Sequence, residues 1–371
     1  MTRSGSQPTQ AHSRSGFAYL RTDRMNKFYA LLKTFNRINI PWLKYVGVLA
    51  FYKLNKRYLG LFLDPTQVCN LKCRMCYFSG ESHSIPNREQ LSAEDYRHMA
   101  DAIFHRVLRL QIGCGAEPTL YKHLPELIRI GKERGIPHLS LTTNGNLLNY
   151  EKLETLVNAG LNELILSAHG LTRQTYEYFM EHARFDAFLR LLDALRKVKA
   201  THPDFTLRIN YTVNNDNLED LTLFPQVFDG LKVDVLQIRP IQNIGDSDYQ
   251  NFNLDKIKSH YDEVFGPLKE YARQHGIMLI IPSKAQLNML AATEQELEKS
   301  VRSNDHIQDL TYVYAYPGYL WRPDFDFRHD TFEKYSKRTG YARAIWAGIL
   351  PFIKHPSMES HVTKPLNYTV K

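Results

Sequence analysis

From Tyr58 onwards the apolar residues fall into short runs, and stretches of helical periodicity lie between them. Residues 59–63, 108–112, 139–142, 163–166, 205–213 and 233–238 have the length and apolar content of buried strands. Residues 93–107, 124–134, 151–159, 185–198 and 220–228 repeat apolar positions three and four apart, as a helix with one buried face does. Ser92, two residues before Glu94, is a fitting cap for the first of these helices. Alternating strands and helices call for parallel pairing through right-handed crossovers. The chain is therefore expected to be α/β, with residues 58–245 forming a partial (β/α)6 TIM-like barrel or a doubly wound sheet.

The flanks are patterned differently. Residues 1–24 are rich in Ser, Thr, Gln, Gly and Arg and read as a disordered tail without the apolar run of a signal peptide. Residues 25–57 read as a basic helical extension, with Phe28, Leu31, Leu32 and Phe35 at helical spacing, a break at Pro41, and a second basic, aromatic stretch over 42–54. Its longest uncharged run, 45–52, is too short to span a bilayer. Packing against the barrel with lysine heads in solvent is the favoured reading, and lying on a membrane surface the other. Residues 246–371 read as a small α+β extension. It comprises a helix over 254–275, an apolar run at 277–281, a polar helical region at 286–302, strands at 311–316 and 319–322 joined at Pro317-Gly318, and helical potential over 341–350.

A length of 371 residues accommodates one large α/β domain with an appendage. The net charge of +8 is concentrated at the start: residues 1–60 carry +10 and the remainder −2. The body thus lacks the overall basicity of a nucleic-acid channel. Four cysteines in this length make no disulfide framework, and their clustering fits a reducing cytoplasm.

Cys69, Cys73 and Cys76 follow the first strand with the spacing C-x3-C-x2-C, and Tyr77 comes next. Clustered thiolates point to zinc or iron–sulfur chemistry. A closed zinc site takes four ligands, usually in paired C-x2-C arms, and no second pair exists here. Three thiolates on a four-iron cluster would leave one iron for an outside ligand. The second strand ends in Gly113-Cys114-Gly115-Ala116-Glu117-Pro118, the third in Thr142-Thr143-Asn144-Gly145, and the fourth in Ser167-Ala168-His169-Gly170. Small residues at such turns allow close backbone approach. Their position at the carboxyl ends of the strands, where barrel chemistry collects, favours the barrel over the open sheet.

The cysteine spacing with its following aromatic, a GGEP-like segment with Ala116 for the second glycine, and T-N-G and S-x-D-G type turns together resemble the radical S-adenosylmethionine (radical SAM) superfamily over residues 58–240. The resemblance implies that Cys69, Cys73 and Cys76 hold one [4Fe–4S] cluster and that SAM chelates the open iron. It implies that Tyr77 lies beside the adenine and that Gly115, Ala116 and Glu117 meet the SAM ammonium. Thr143, Asn144 and Ser167 would complete the cofactor cradle. His169 stands where the family more often has Asp. Arg173 or Arg184, with Arg184 preferred, would pair with the SAM carboxylate. Cys114 is a candidate hydrogen-atom donor, its plainer role being a small buried hydrophobe. Arg208 with Asn210, and Gln237 with Arg239, share one face of their strands and predict a polar barrel mouth. Residues 312–324 look like a SPASM or twitch extension without its cluster cysteines.

By this resemblance the chain is an enzyme in which an external electron donor, such as flavodoxin or ferredoxin, reduces the cluster, and SAM yields a 5′-deoxyadenosyl radical that abstracts a substrate hydrogen. A single cluster favours redox-neutral outcomes. A peptide or protein substrate is expected first, a lipid-like molecule second and RNA third. The location expected is the cytoplasm, with membrane-surface contact through residues 25–57 as an addition. A non-catalytic iron–sulfur sensor is the alternative from another class.

Overall fold

The computed structural model describes residues 41–76, 90–243, 247–290, 305–317, 319–320 and 325–354. The expected tail at 1–24, the start of the basic extension, Tyr77 and the distal part of 286–302 lie outside them. The strands among the described residues are β1 (Leu59–Leu63), β2 (Lys72–Cys73), β3 (Val107–Ile112), β4 (His138–Thr143), β5 (Glu163–Ser167), β6 (Met180–Glu181), β7 (Thr206–Val213), β8 (Val235–Pro240), β9 (Met278–Ile280), β10 (Tyr312–Tyr316) and β11 (Tyr319–Leu320).

Nine of these strands form one sheet in the order β11-β10-β1-β3-β4-β5-β7-β8-β9. Every neighbouring pair is parallel except the β10–β11 hairpin. The fold is the expected partial TIM-like barrel. Its parallel sheet has eight strands, because the apolar runs after residue 246 add β9 beside β8 and β10 beside β1. An edge strand leaves a row of backbone donors and acceptors unpaired, and β10 covers that edge of β1.

One face of the sheet is apolar. Leu110, Leu139, Leu141, Leu164, Leu166, Leu207, Ile209, Leu236 and Ile238 are fully buried, each stabilising the fold by about 1.5–3 kcal/mol. Helices cover this face closely: Gly131 of Leu124–Glu133 sits against Leu139 and Leu110, with no room for a side chain between them. The helix Ala93–Ile103 starts where expected, Ser92 accepting a hydrogen bond from the Asp95 N–H at 3.0 Å. Two expected helices are broken. Residues 219–227 form a 3-10 segment and a single turn, since Pro225 has no N–H to continue a helix. Residues 255–274 divide at His260 into Asp255–Ser259 and Tyr261–Gln274.

The helix Pro41–Lys53 packs on Tyr341–Lys354, where Gly348 leaves space for the ring of Tyr45. Trp42, Leu43 and Val46 on the first helix, and Trp346 and Leu350 on the second, stay exposed. Among the described residues no helix is long and apolar enough to cross a membrane.

Candidate functional site

The cysteine loop leaves the carboxyl end of β1 and is pinned on several sides. β2 pairs antiparallel with β6, placing Cys73 opposite Met180. The Arg74 N–H donates to Phe179 O at 3.0 Å, and the Tyr249 N–H donates to Arg74 O at 2.9 Å. Arg74 also lies over the Tyr178 ring, 4.5 Å from its centroid. The Leu71 N–H points at Cys69 Sγ at 3.4 Å, a contact that stabilises a thiolate. All three thiols are partly buried. Burial pushes Cys69 up to about 11 and Cys73 further, and each also feels the charge of the other thiols and of Glu117. Such a triad becomes thiolate only against compensating positive charge, which iron supplies. Among the described residues no three His, Cys, Asp or Glu converge as a single metal ion demands. A four-iron cluster does not ask for that convergence, since its thiolates bind separate irons.

Two carboxylates tie the turns around this loop together. Asp64, just past β1, accepts the N–H groups of Cys114 at 2.6 Å and Gly115 at 3.1 Å. Across a planar trans peptide the carbonyl points opposite the N–H, so Gly113 O and Cys114 O face away from Asp64. Gly113 holds φ +85°, and a Cβ there would collide with Thr142 O. Glu117 is buried, and burial raises its pKa despite its hydrogen bonds. Its Oε1 accepts the hydroxyls of Thr119 at 2.5 Å and Thr143 at 2.7 Å, while Oε2 accepts the Asn144 N–H at 2.9 Å. The Glu117 N–H in turn donates to Val68 O at 3.0 Å, and Asn144 Nδ2 donates to Asn70 Oδ1 at 2.9 Å. The cysteine loop, the 113–118 turn and the 142–145 turn therefore form a closed ring of hydrogen bonds.

The inner face of the sheet is polar. The Gln111 amide donates to Thr142 Oγ1 at 3.2 Å, and Arg109 donates to Gln111 Oε1 at 2.7 Å. Glu163 and His138 meet at 2.9 Å in full burial. Burial opposes the Glu163 charge, yet His138, Arg208 and Arg109 bring the carboxyl down to about 2. Burial keeps His138 neutral, its N–H donating to the carboxylate. His169 is lowered to about 4, first by burial and then by Arg239. Its Nδ1 accepts the Thr212 N–H at 3.1 Å, leaving the ring proton on Nε2. Cys114 is exposed on this concave side. Arg239 on β8 acts electrostatically on both Cys114 and His169.

Of the residues singled out from the sequence, Cys69, Cys73, Cys76, Cys114, Gly115, Ala116, Glu117, Thr143, Asn144 and Ser167 gather at the carboxyl ends of β1, β3, β4 and β5. Glu117 and Thr143 spend their polar atoms on bracing the turns. Arg184 caps the helix Phe185–Thr201 at the rim, exposed, its N–H donating to Asn146 Oδ1 at 2.7 Å. Arg173 is held on the outside by Asp186 and Glu177 at 3.2 and 3.1 Å, away from this gathering. Sequence reasoning missed Asp64, whose signal is a lone acid directly after an apolar strand. It also missed Asn214, which reaches Met75 Sδ of the cysteine loop at 2.9 Å, and the short helix Arg173–Phe179, capped by Thr172.

Residues 63–222 match the sequence model of the Radical SAM superfamily. That match spans 160 of the 371 residues. A protein of Saccharolobus islandicus named "Probable GTP 3′,8-cyclase" is 29% identical over 185 residues, covering 50% of this chain and 58% of that protein. The Fe-coproporphyrin III synthase of Methanosarcina barkeri is 29% identical over 169 residues, covering 46% of this chain and 40% of the relative. The chain thus matches only part of the length of these radical SAM relatives. SuiB of Streptococcus suis bound to S-adenosylmethionine superposes with a TM-score of 0.57 at 18% identity, covering 92% of this chain and 79% of SuiB. SuiB bound to its precursor peptide SuiA gives a TM-score of 0.51. Members of the superfamily bind a [4Fe–4S] cluster and SAM.

Proposed function

We propose that this chain is a radical SAM enzyme whose Cys69, Cys73 and Cys76 ligate one [4Fe–4S] cluster beside a SAM cradle built from residues 113–117, 143–144 and 167. Held there, a reduced cluster would supply the electron for reductive cleavage of SAM, and with it the means to abstract a hydrogen atom from an unactivated substrate carbon. The observation that carries this reading is the ring of hydrogen bonds joining the cysteine loop to the two turns through Glu117, Val68, Asn144 and Asn70.

The roles divide by position. Gly113 O and Cys114 O offer acceptors to the SAM ammonium, and Asp64 holds that turn in place. Glu117 is a positioning residue, and Thr143 and Asn144 fix the floor of the cradle. Ser167 offers a hydroxyl to the cofactor, Tyr77 follows the last ligand as the adenine neighbour, and Arg184 is the rim cation for the SAM carboxylate. Cys114 opens on the concave side, where a thiol can return a hydrogen atom to a substrate radical. Electrons come from an external donor of the flavodoxin or ferredoxin kind. The substrate favoured is a peptide or protein, on the likeness of residues 312–324 to a SPASM extension. Residues 58–245 constitute the catalytic unit, and β9 and β10, from the extension after it, complete its sheet.

Anaerobic reconstitution tests this directly. Iron and sulfide should bind in the stoichiometry of one [4Fe–4S] cluster, and the electron paramagnetic resonance of the reduced protein should change when SAM is added. A spectrum indifferent to SAM, or metal bound without sulfide, contradicts the reading. A second reading, contact with a membrane surface, is favoured by the exposed Trp42, Leu43, Val46, Trp346 and Leu350. The full chain should then sediment with anionic phosphatidylserine vesicles, and Trp42→Ser with Trp346→Ser should reduce this. Failure of the unmodified chain to sediment removes that reading.

A further inference from the structure

The two sides of the sheet are finished differently. On one side β10 is covered by β11, whereas β9 ends the other with no strand beyond it among the described residues. β9 joins β8 through the Met278 N–H, which donates to Asp234 O at 2.9 Å. Along a strand the N–H and C=O of one residue point to one side and those of the next to the other. Met278 and Ile280 therefore spend their backbone on β8, and Leu279 turns its N–H and C=O outward, as Ile281 does its N–H. None of these outward groups meets a partner among the described residues. The strand is nevertheless held at both ends: the Ile277 N–H donates to Ala272 O at 2.8 Å, and the Tyr261 hydroxyl donates to Pro282 O at 2.8 Å. Within it stands neither a charge nor a proline, two of the devices that blunt an edge.

The side chains divide by face. Ile277, Leu279 and Ile281 pack on the core of the outer face. Met278 and Ile280 face inward with Val235 and Gln237, and both are partly exposed. The register carries Ile280 to the level of the cradle: Ser167 pairs with Asn210, Asn210 with Gln237, and Gln237 with Ile280. A chain added beyond β9 sets one residue in that row with its side chain toward the interior, its neighbours pointing away. From this geometry we infer that β9 is the docking edge for an extended segment of the substrate, which joins the sheet through the outward Leu279 N–H and C=O and lays an apolar side chain against Met278 and Ile280. A peptide backbone supplies donors and acceptors at the strand repeat, and the pockets between alternate side chains supply selectivity. This rests on the reading of the substrate as a peptide or protein. It adds where the peptide is held and what it must present, a free backbone amide in extended form with an apolar neighbour.

The test uses the full-length, anaerobically reconstituted protein. The probe is a capped hexapeptide of alternating threonine and valine at millimolar concentration. Its counterpart, N-methylated at alternate residues, keeps the side chains and cannot pair along that edge. Amide hydrogen exchange is read by mass spectrometry with fragmentation to single residues. In the free protein the Leu279 and Ile281 amides should exchange fast and those of Met278 and Ile280 slowly. The probe should slow Leu279 and Ile281 by about tenfold or more, and the N-methylated peptide should not. Leu279→Pro removes the outward donor at a position where an edge strand accepts proline, and should abolish the protection of Ile281. Met278→Lys places a charge beside the edge and spares the core, so it decides the matter should the proline variant misfold; it should weaken the protection about tenfold. The inference is overturned if neither outward amide is slowed, if the N-methylated peptide slows them equally, or if they are already slow in the free protein because a second copy covers the edge. Protection at 113–118 and 142–145 without protection at Leu279 removes only this inference and leaves a peptide substrate, whereas protection at none of these removes both.

Discussion

The two faces of one sheet behave as different materials. The outer face is leucine and isoleucine pressed against helices, and each side chain is satisfied by burial alone. The inner face alternates with it residue by residue, yet carries Arg109, Gln111, His138, Glu163, Arg208 and Gln237, which need partners as well as burial. Period-two alternation lets a single strand serve both purposes. The outer face determines whether the chain folds, while the inner face and its rim determine what the folded chain can hold.

Substitutions on the two faces should therefore fail in different ways. Leu164→Ala, on the outer face, should cost about 2–5 kcal/mol in thermal or urea unfolding and leave SAM affinity intact in the folded fraction. A parallel loss of SAM affinity would mean that the faces are not separable. Glu117→Ala, at the rim, should cost roughly 2–3 kcal/mol by stranding the Thr143 hydroxyl and the Asn144 N–H, and should also weaken SAM binding by calorimetry. Lost stability without weaker binding would reduce Glu117 to part of the frame. His169 gives a pH signature. It stays neutral in the folded chain down to about 4, whereas an unfolded histidine protonates near 6.5. The unfolded state then binds the extra proton between those values, so stability falls as pH drops through that window and is flat above it. Unfolding at stepped pH should show a decline of about 1–3 kcal/mol from this residue, and His169→Gln should make the slope shallower, leaving the part that belongs to the buried His138. An unchanged profile would show that His169 is not buried neutral. The smallest change belongs to Arg173→Ala, whose ion pairs with Asp186 and Glu177 lie in solvent, and which should leave the urea unfolding midpoint nearly unchanged.

Much of this was readable in the sequence because the outer face speaks in apolar runs. The runs at 108–112, 139–142 and 163–166 lie within one residue of β3, β4 and β5 at most boundaries. The cysteine loop and the turns after β3, β4 and β5 were equally legible, since clustered Cys is rare and Gly and Asn mark the turns that end each apolar run. What escaped depends on long-range contact. That β10 pairs with β1 across some 250 residues leaves no local mark. Asp64 is an ordinary residue until the Cys114 and Gly115 amides arrive beside it. The sharing of Gln237 by Arg208 and Arg239 follows from side chains reaching between strands, beyond the alternation that flagged each pair. Arg173 misled for the same reason: its partners Asp186 and Glu177 draw it outward.

The central claim is that the rim of the inner face positions SAM against a cluster on Cys69, Cys73 and Cys76. Reconstituted protein given dithionite and SAM, with 5′-deoxyadenosine followed by liquid chromatography, tests it most directly. The account predicts steady release from the unmodified protein and none from Cys73→Ala. Absence of 5′-deoxyadenosine from protein with a full cluster, or equal release from the variant, would contradict it.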